Sequence, residues 1–442
     1  MFLSNGAKTA IEKLNSCGFK AYAVGGACRD YFMNKPCSDT DVTTSALPDE
    51  TEGVFSEYTV IPTGIKHGTV TVIIDGEKVE ITTFRTESGY KDNRHPDGVD
   101  FVSNINEDLK RRDFTVNAIA YNENEGFIDL FGGINDIKNK IIRAVGDPEE
   151  RFKEDALRIL RALRFSSKLG FEIEKNTALA ALKCAPLIKN VSPERVFSEL
   201  TGILAGDGVE NTLLKYKEII FTIIPELKPC DGFMQKTRYH NQDVYTHIVK
   251  SVAYSDNDRM VRLALLLHDV GKPYCFSVGS DGVGHFYGHQ KLSAEISEKI
   301  LKRFKADNKT LNTVVKLIYY HDASLPPDKI KIKYFLKNHG FDFFKYLIKV
   351  KCGDALAHAE PYGMMRMKVA EEALICAEEI VKNGECYSLK SLAVNGNDLK
   401  SLGFTGSEIK DKLDKALNLV IEGKLDNEKQ SIIRCLNERF KR

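Results

Sequence analysis

Asp39 and Asp41, with one residue between them and Val42 after them, are the first groups along the chain whose type and spacing suit chemistry. In an extended strand, residues i and i+2 point to one face, so this spacing sets two carboxylates side by side. Like charges held this close repel unless cations lie between them, and hard oxygen ligands suit Mg²⁺. Two such ions would activate a hydroxyl and stabilise a departing pyrophosphate. Just upstream, the apolar run Ala21–Val24 leads through Gly25 and Gly26 into a helix pattern carrying Arg29. Glycine lets a backbone pass close to phosphate oxygens, and the amides at a helix start favour anions. Alone, a Gly-Gly turn is usually only a turn, and a D-x-D only a solvated acidic turn. G-G-x-x-R-D followed by D-x-D is far more specific.

Further groups fit the same chemistry. Arg111, Arg112 and Asn117 supply donors for a triphosphate and a ribose, while Asp113 orients them or accepts a ribose hydroxyl. Glu80 lies on the alternating run Lys78–Thr83 and faces either the carboxylate pair or solvent; the alternation leaves both open. Glu154-Asp155-x-x-Arg158 falls in a helix pattern whose apolar face includes Ile159, Leu160 and Leu163. Asp155 and Arg158, at i and i+3, are expected to share a face, as a surface ion pair or as a base-reading pair. Cytosine and adenine both offer an amino donor beside a ring acceptor, which a carboxylate next to a guanidinium matches. Uracil and guanine put a carbonyl opposite the carboxylate, and an unpaired buried polar group costs about 1–3 kcal/mol. The pair therefore fits selection of CTP and ATP.

Of ten histidines, six fall between His240 and His321. In RLALLLHDVGKP, His268 and Asp269 close an apolar helix pattern, with Gly271 as its expected stop. His247 precedes them, and His289, His321 and Asp354 follow on later segments. Mixed imidazole and carboxylate ligands suit Mn, Fe or Ni.

The elements that must position these groups change in texture along the chain. Short strand-like runs (Ala21–Val24, Val60–Ile61, Gly68–Ile74, Lys78–Thr83, Val99–Phe101) occupy the first 150 residues, with Asp75–Gly76 as a hairpin turn. Beyond them the periodicity is almost wholly helical. At 442 residues the chain is expected to hold several domains. Apolar residues make up 43% and charged residues 28%, which excludes a wholly disordered chain. No stretch approaches the ~20 apolar residues of a membrane span. Met1–Leu14 reads as an amphipathic helix rather than an export signal, so a cytoplasmic protein with reduced thiols is expected; none of the ten Cys forms a C-x-x-C pair. Lys and Arg number 63 against 62 Asp and Glu, a net charge of +1. That balance excludes a uniformly basic binder but not a local basic groove.

The combination of Gly25-Gly26, Arg29, Asp39 and Asp41 resembles the nucleotidyltransferase superfamily with the DNA polymerase β-like fold. RRDFTVNAIAY (Arg111–Tyr121), IDLFGGINDI (Ile128–Ile137), RFKEDALRILRALRF (Arg151–Phe165) and SPER (Ser192–Arg195) continue the match. In this order they resemble the class II tRNA nucleotidyltransferases and bacterial poly(A) polymerases. The resemblance implies an α+β fold: a nucleotidyltransferase head with a small mixed or antiparallel sheet (1–140), then an all-α neck (141–225), an HD body (226–360) and a tRNA-facing helical tail (361–442). It implies Mg²⁺ on catalytic Asp39 and Asp41. It implies nucleotide contacts from Gly25, Gly26, Arg29, Arg111, Arg112, Asp113, Asn117, Glu154, Asp155, Arg158 and Arg161, with Glu154 holding the base-reading pair and Arg195 in the neck. The implied activity is addition or repair of the 3′-terminal CCA of tRNA from CTP and ATP. Phe84–Phe101 resembles the flexible loop of enzymes that add the terminal A, and Ile61–Val72 the tRNA-type version of its segment. An A-adding or CC-adding specialist, a poly(A) polymerase and a phosphohydrolase with a nucleotide-binding head are the alternatives. A non-catalytic RNA-binding module is disfavoured, because passive binding needs neither the D-x-D pair nor the histidine set.

The histidine set resembles the HD phosphohydrolase domain, which implies His247, His268, Asp269 and Asp354 as ligands of Ni, Mn or Fe, with His289 and His321 lining or extending the site. By the same resemblance its substrates would be phosphoesters such as 2′,3′-cyclic nucleotides. In the tail, Gly396, Gly403 and Gly406 precede helices, either as phosphate contacts or as ordinary caps.

Overall fold

The computed structural model describes residues 3–36, 40–64, 68–88 and 98–438. Asp39 and the centre of the Phe84–Phe101 loop (89–97) lie outside the described residues. The chain divides into two units, Met1–Pro225 and Glu226–Arg442.

The first unit is built on β1 (Ala21–Val24), β2 (Asp41–Thr44), β3 (Thr59–Gly64), β4 (Thr69–Ile74) and β5 (Glu77–Thr83). The antiparallel pair β6 (Arg85–Ser88) and β7 (Gly98–Phe101) follows, then β8 (Ile119–Asn122) and β9 (Gly126–Asp129). Seven of the nine form one sheet in the order β3-β4-β5-β2-β1-β8-β9. Its pairs are antiparallel except β2 with β5, so the sheet is mixed. β4 and β5 flank Asp75–Gly76 as the hairpin that the alternating sequence predicts.

All four residues of β1 are buried, because the sheet is covered on both faces. Ala21 and Ala23 join Ala7, Ala10, Ile11 and Leu14 of the helix Asn5–Ser16, with Val70, Val72, Val79 and Ile81. Tyr22 and Val24 point the other way, to Phe84, Ile105 and Leu109. Each large side chain fully buried in these layers contributes about 1.5–3 kcal/mol. Val24 pairs with Asp41, and Val42 with Ile81 in parallel register. Asp41 and Glu80 therefore stand at neighbouring positions on the second face, both exposed.

Helices Pro148–Glu154, Leu157–Leu169, Lys175–Cys184 and Pro193–Leu204 complete this unit. The structure departs from the sequence pattern at two points. The region after 140 is not wholly helical, since Ile141–Ile142 pairs in parallel with Glu172–Ile173. Asp155 and Arg158 also do not lie on one continuous helix: Asp155 is extended (φ −133°, ψ 103°) and closes one helix, and Arg158 sits in the first turn of the next. The Asp155 carboxylate accepts from Leu157 N at 3.0 Å, a local bond that competes with helix continuation.

The second unit is helical apart from the short pair Ser277–Val278 and Gly284–His285. Helices Val244–Tyr254, Arg259–Leu267, Asn308–Tyr320 and Phe341–Leu356 bury Ile248, Leu265, Leu317 and Leu347. The tail has its own core around Val394, Leu399, Leu417 and Ile432. There the Asn395 side chain caps the helix Gly396–Ser401. Among the described residues no helix is long and apolar enough to cross a membrane, and the nine described cysteines are free.

Candidate functional site

In the first unit the predicted donors gather around the β1–helix turn. Gly25 adopts φ +71°, and a Cβ there would lie 3.5 Å from Arg112 Nη1 and 3.8 Å from Asp41 Oδ2. The residue thus leaves a backbone notch between a guanidinium and a carboxylate, in a conformation that L side chains resist. Asp108 was missed by the sequence reading. Fully buried, it takes Arg111 through Nε (2.9 Å) and Nη2 (2.7 Å) on one oxygen and Arg112 Nη2 (3.1 Å) on the other. Burial opposes its charge, but the two guanidiniums outweigh it and hold the carboxyl below its ordinary range. Its only sequence signal is i+3 and i+4 spacing to the two arginines on a short helix.

A second chain of bonds runs through Asp113. Arg161 donates to its Oδ2 from Nε (2.9 Å) and Nη2 (2.7 Å). Asn117 Nδ2 lies 3.3 Å from Oδ1, and Asn117 Oδ1 in turn accepts from Arg29 Nη1 at 2.8 Å. Asp113 thus orients Asn117 and Arg161, whereas Arg111 and Arg112 turn to Asp108. Arg29 and Arg161 both lie over the Phe165 ring, at 5.6 and 5.5 Å.

The selecting motif separates into two pairs. Arg158 donates to Glu154 Oε2 at 2.6 Å and to the carbonyls of Arg151 (3.2 Å) and Arg111 (3.1 Å). Glu154 also pairs with Arg151. Asp155 Oδ2 accepts from Arg195 Nη2 at 3.1 Å, bringing the neck residue to the motif. Asp41 and Glu80 offer carboxylate oxygens on one face, a donor set that fits Mg²⁺.

The second unit brings His247, His268, Asp269, His289, His321 and Asp354 together. His247 Nε2 lies 2.9 Å from Asp354 Oδ1 and 3.4 Å from Asp269 Oδ2. His268 Nε2 lies 3.2 Å from Asp269 Oδ2 and 3.4 Å from Asp354 Oδ1. On the far side of Asp269, His289 Nε2 and His321 Nε2 stand 3.3 Å apart, at 3.4 and 3.7 Å from its Oδ1. All four imidazoles give Nδ1–H to a backbone carbonyl: Ala357 (3.3 Å), Leu265 (2.7 Å), Phe286 (2.8 Å) and Ile318 (2.6 Å). That orients the four rings and turns every Nε2 atom inward. Four inward ring nitrogens and two carboxylates so converged form a donor set that fits a borderline divalent ion.

The electrostatics agree. Burial pushes His247 and His321 down toward the neutral ligand form. Burial opposes charge on Asp269 and Asp354, yet the adjoining histidines, with Lys272 beside Asp269, hold both well below the carboxylate range. His268 is the exception: burial lowers it, but the flanking carboxylates carry it up to about 10. Lys272 Nζ, 2.6 Å from Asp269 Oδ2, was not anticipated, nor were His240, His358 and Arg366. Lys272 sits three residues after Asp269 in H-D-V-G-K, which was a readable signal. Gly271, expected as a helix stop, has φ −84°. It is instead a point of close approach, since a Cβ there would lie 2.9 Å from Ser293 N and 3.0 Å from the His289 carbonyl.

Comparison with known proteins follows this division. Residues 21–143 match the family described as poly A polymerase head domain, 170–230 the probable RNA and SrmB-binding site of polymerase A, and 234–349 the HD domain. The CCA-adding enzyme of Lactobacillus helveticus is 53% identical over 193 residues, 44% of this chain and 48% of that protein. The CCA-adding enzyme of Pediococcus pentosaceus is 45% identical over 236 residues, 53% of this chain and 58% of that protein. The chain thus spans about half the length of these curated relatives. The crystal structure of the Bacillus stearothermophilus CCA-adding enzyme in complex with CTP superposes with a TM-score of 0.71 at 29% identity, over 99% of this chain and 97% of that one.

Proposed function

Because the chain belongs to the class II tRNA nucleotidyltransferase family with an HD domain, we propose that it adds or repairs the CCA 3′ end of tRNA from CTP and ATP without a template. The observation that carries this is the Gly25 notch, flanked by Arg112 and Asp41 and backed by the Arg29–Asn117–Asp113–Arg161 chain. In this reading the tRNA 3′ hydroxyl attacks the nucleotide α-phosphate and pyrophosphate leaves. Asp39 and Asp41 hold Mg²⁺, which when bound supplies the charge that activates the hydroxyl and steadies the leaving group. Gly25 and Gly26 offer backbone to the phosphates, and Arg29, Arg111 and Arg112 supply donors already oriented by Asn117 and Asp108. Arg158, fixed by Glu154 and two carbonyls, donates to the base edge while Asp155, braced by Arg195, accepts from the amino group. Arg161 braces Asp113 and, through it, this nucleotide set. A tRNA-binding cytoplasmic enzyme is the corresponding cellular role.

One assay tests the reading: the protein is incubated with tRNA ending before CC, after CC and after CCA, with CTP and ATP supplied separately. CMP should enter the first substrate, AMP the second and nothing the third. AMP transfer without CMP transfer would identify an A-adding specialist, and transfer to none would refute the family activity for this chain.

The converged Nε2 atoms favour a second reading for the second unit, a phosphohydrolase acting on phosphoesters such as 2′,3′-cyclic nucleotides with Ni, Mn or Fe at His247, His268, Asp269 and Asp354. Protein loaded with Ni²⁺ or Mn²⁺ should hydrolyse 2′,3′-cAMP; a filled metal site without hydrolysis would refute it.

A further inference from the structure

We infer that Arg366 is a phosphoryl-binding residue of the histidine–aspartate centre, held in position by His358, so that the centre takes ligands bearing a phosphate group beside the cluster. The inference rests on the reading of this centre as a metal-dependent phosphohydrolase and adds the group that would grip its substrate.

His358 follows Asp354 by four residues and is buried. Its Nδ1–H donates to the Asp354 carbonyl at 2.8 Å. Its Nε2 is therefore a lone pair, and it accepts Arg366 Nη1 at 2.7 Å. That sets Arg366 apart from the arginines of the first unit. Arg111 and Arg112 share Asp108, Arg161 has Asp113, Arg158 has Glu154 and Arg195 has Asp155. A carboxylate partner orients a guanidinium but cancels its charge. An imidazole orients it and leaves the charge for another anion.

The carboxylates nearest Arg366 are loosely placed: Asp322 Oδ1 at 3.5 Å and Asp354 Oδ2 at 3.7 Å. Asp354 is itself among the residues that would hold the metal, so its charge is committed to the cluster. Arg366 is half exposed and lines two cavities, of about 380 and 660 Å³. Among the described residues it shares that position only with Asp322. The larger cavity is lined by three cations, Lys272, Arg238 and Arg366, against the carboxylates of Asp281 and Asp322, and by the Tyr287 ring, which stacks on His285. A rim with cations in excess and an aromatic wall, beside a histidine–aspartate cluster that fits a divalent ion, suits a phosphorylated ligand rather than a neutral one.

The test uses the full chain loaded with Mn²⁺, with metal content measured for every variant. Inorganic phosphate is the probe, and its affinity is read by calorimetry. R366M should weaken phosphate binding at least about tenfold, the loss of one charge-assisted hydrogen bond. R366K should recover part of that affinity. H358A should cost about three- to tenfold, because the guanidinium must then be ordered on binding. K368M removes a nearby charge that is 76% exposed and should change affinity less than about twofold. The first unit is unaltered in all four, so any phosphate it binds contributes equally. Wild-type protein that binds no phosphate beyond the metal-free form would overturn the inference, as would R366M matching K368M at equal metal content. Arg366-dependent phosphate binding without ester cleavage would sink the hydrolase reading alone. Ester cleavage with KM unchanged in R366M would sink the clamp alone.

Discussion

Asp113→Asn should loosen the head without unfolding it, and the expected size follows from the contacts. The Asp113 carboxylate accepts two N–H bonds from Arg161 (2.9 and 2.7 Å), one from Phe114 N (2.8 Å) and a longer one from Asn117 (3.3 Å). Removing one partner of a fully buried pair costs about 3–5 kcal/mol. Asp113 is 10% exposed but Arg161 is 34% exposed, so water reaches the orphaned guanidinium. About 2–3 kcal/mol is therefore expected for alanine, and about 1–2 kcal/mol for asparagine, which keeps the shape and one acceptor. The pH dependence has a definite sign. Burial raises the Asp113 carboxyl, but Arg161 outweighs it and the folded value lies below the ordinary one. The stabilisation is therefore complete above the unfolded value of about 3.9 and disappears as pH falls through the lower folded value. Urea unfolding of the wild type and D113N should differ fully at pH 6 and converge below about pH 4. Function should follow, because Asn117 also holds Arg29 at 2.8 Å; nucleotide incorporation should drop about tenfold, mainly through KM. Equal stability at pH 6, or strict additivity of D113N with Arg161→Met, would refute the idea that these groups act as one chain.

Asp41→Asn should abolish CMP and AMP transfer while leaving the melting temperature within a few degrees, since Asp41 is exposed at a strand start; transfer assays beside thermal melts check this. Gly25→Ala places a Cβ at φ +71°, 3.5 Å from Arg112 Nη1. It should cost about 1–2 kcal/mol and reduce transfer more than that loss of stability explains, as denaturant titration with kinetics would reveal. Mn²⁺ or Ni²⁺ should raise the melting temperature of the wild type but much less that of His247→Ala, because His247 Nε2 stands 2.9 Å from Asp354. Calorimetric scans with and without chelator would decide it.

Local patterns were legible where one residue spacing serves one face. The hairpin around Asp75–Gly76 follows from strict alternation, and the buried run Ala21–Val24 reads as a strand because both of its faces are covered. Strand β2 gave little periodic signal in its four residues, and the separation of Asp155 from Arg158 gave none. The helix pattern there is continuous in sequence, and it is broken by a side chain that prefers Leu157 N and Arg195 to the next turn.

By itself the sequence determined which chemistries were available: carboxylates at i and i+2, a Gly-Gly turn after an apolar strand, and histidines concentrated in one stretch. Residue type and near-neighbour spacing suffice for that, because they act through local backbone geometry. Tertiary structure alone decided which groups meet. The parallel register of β2 on β5 set Glu80 beside Asp41, a point the alternation had left open. Asp108 took the two arginines that sequence order had offered to Asp113. Four Nδ1–H bonds to carbonyls, made by residues 74 positions apart from His247 to His321, aimed their rings at one point. Such pairings depend on burial and on contacts between distant segments, which residue spacing along the chain does not encode.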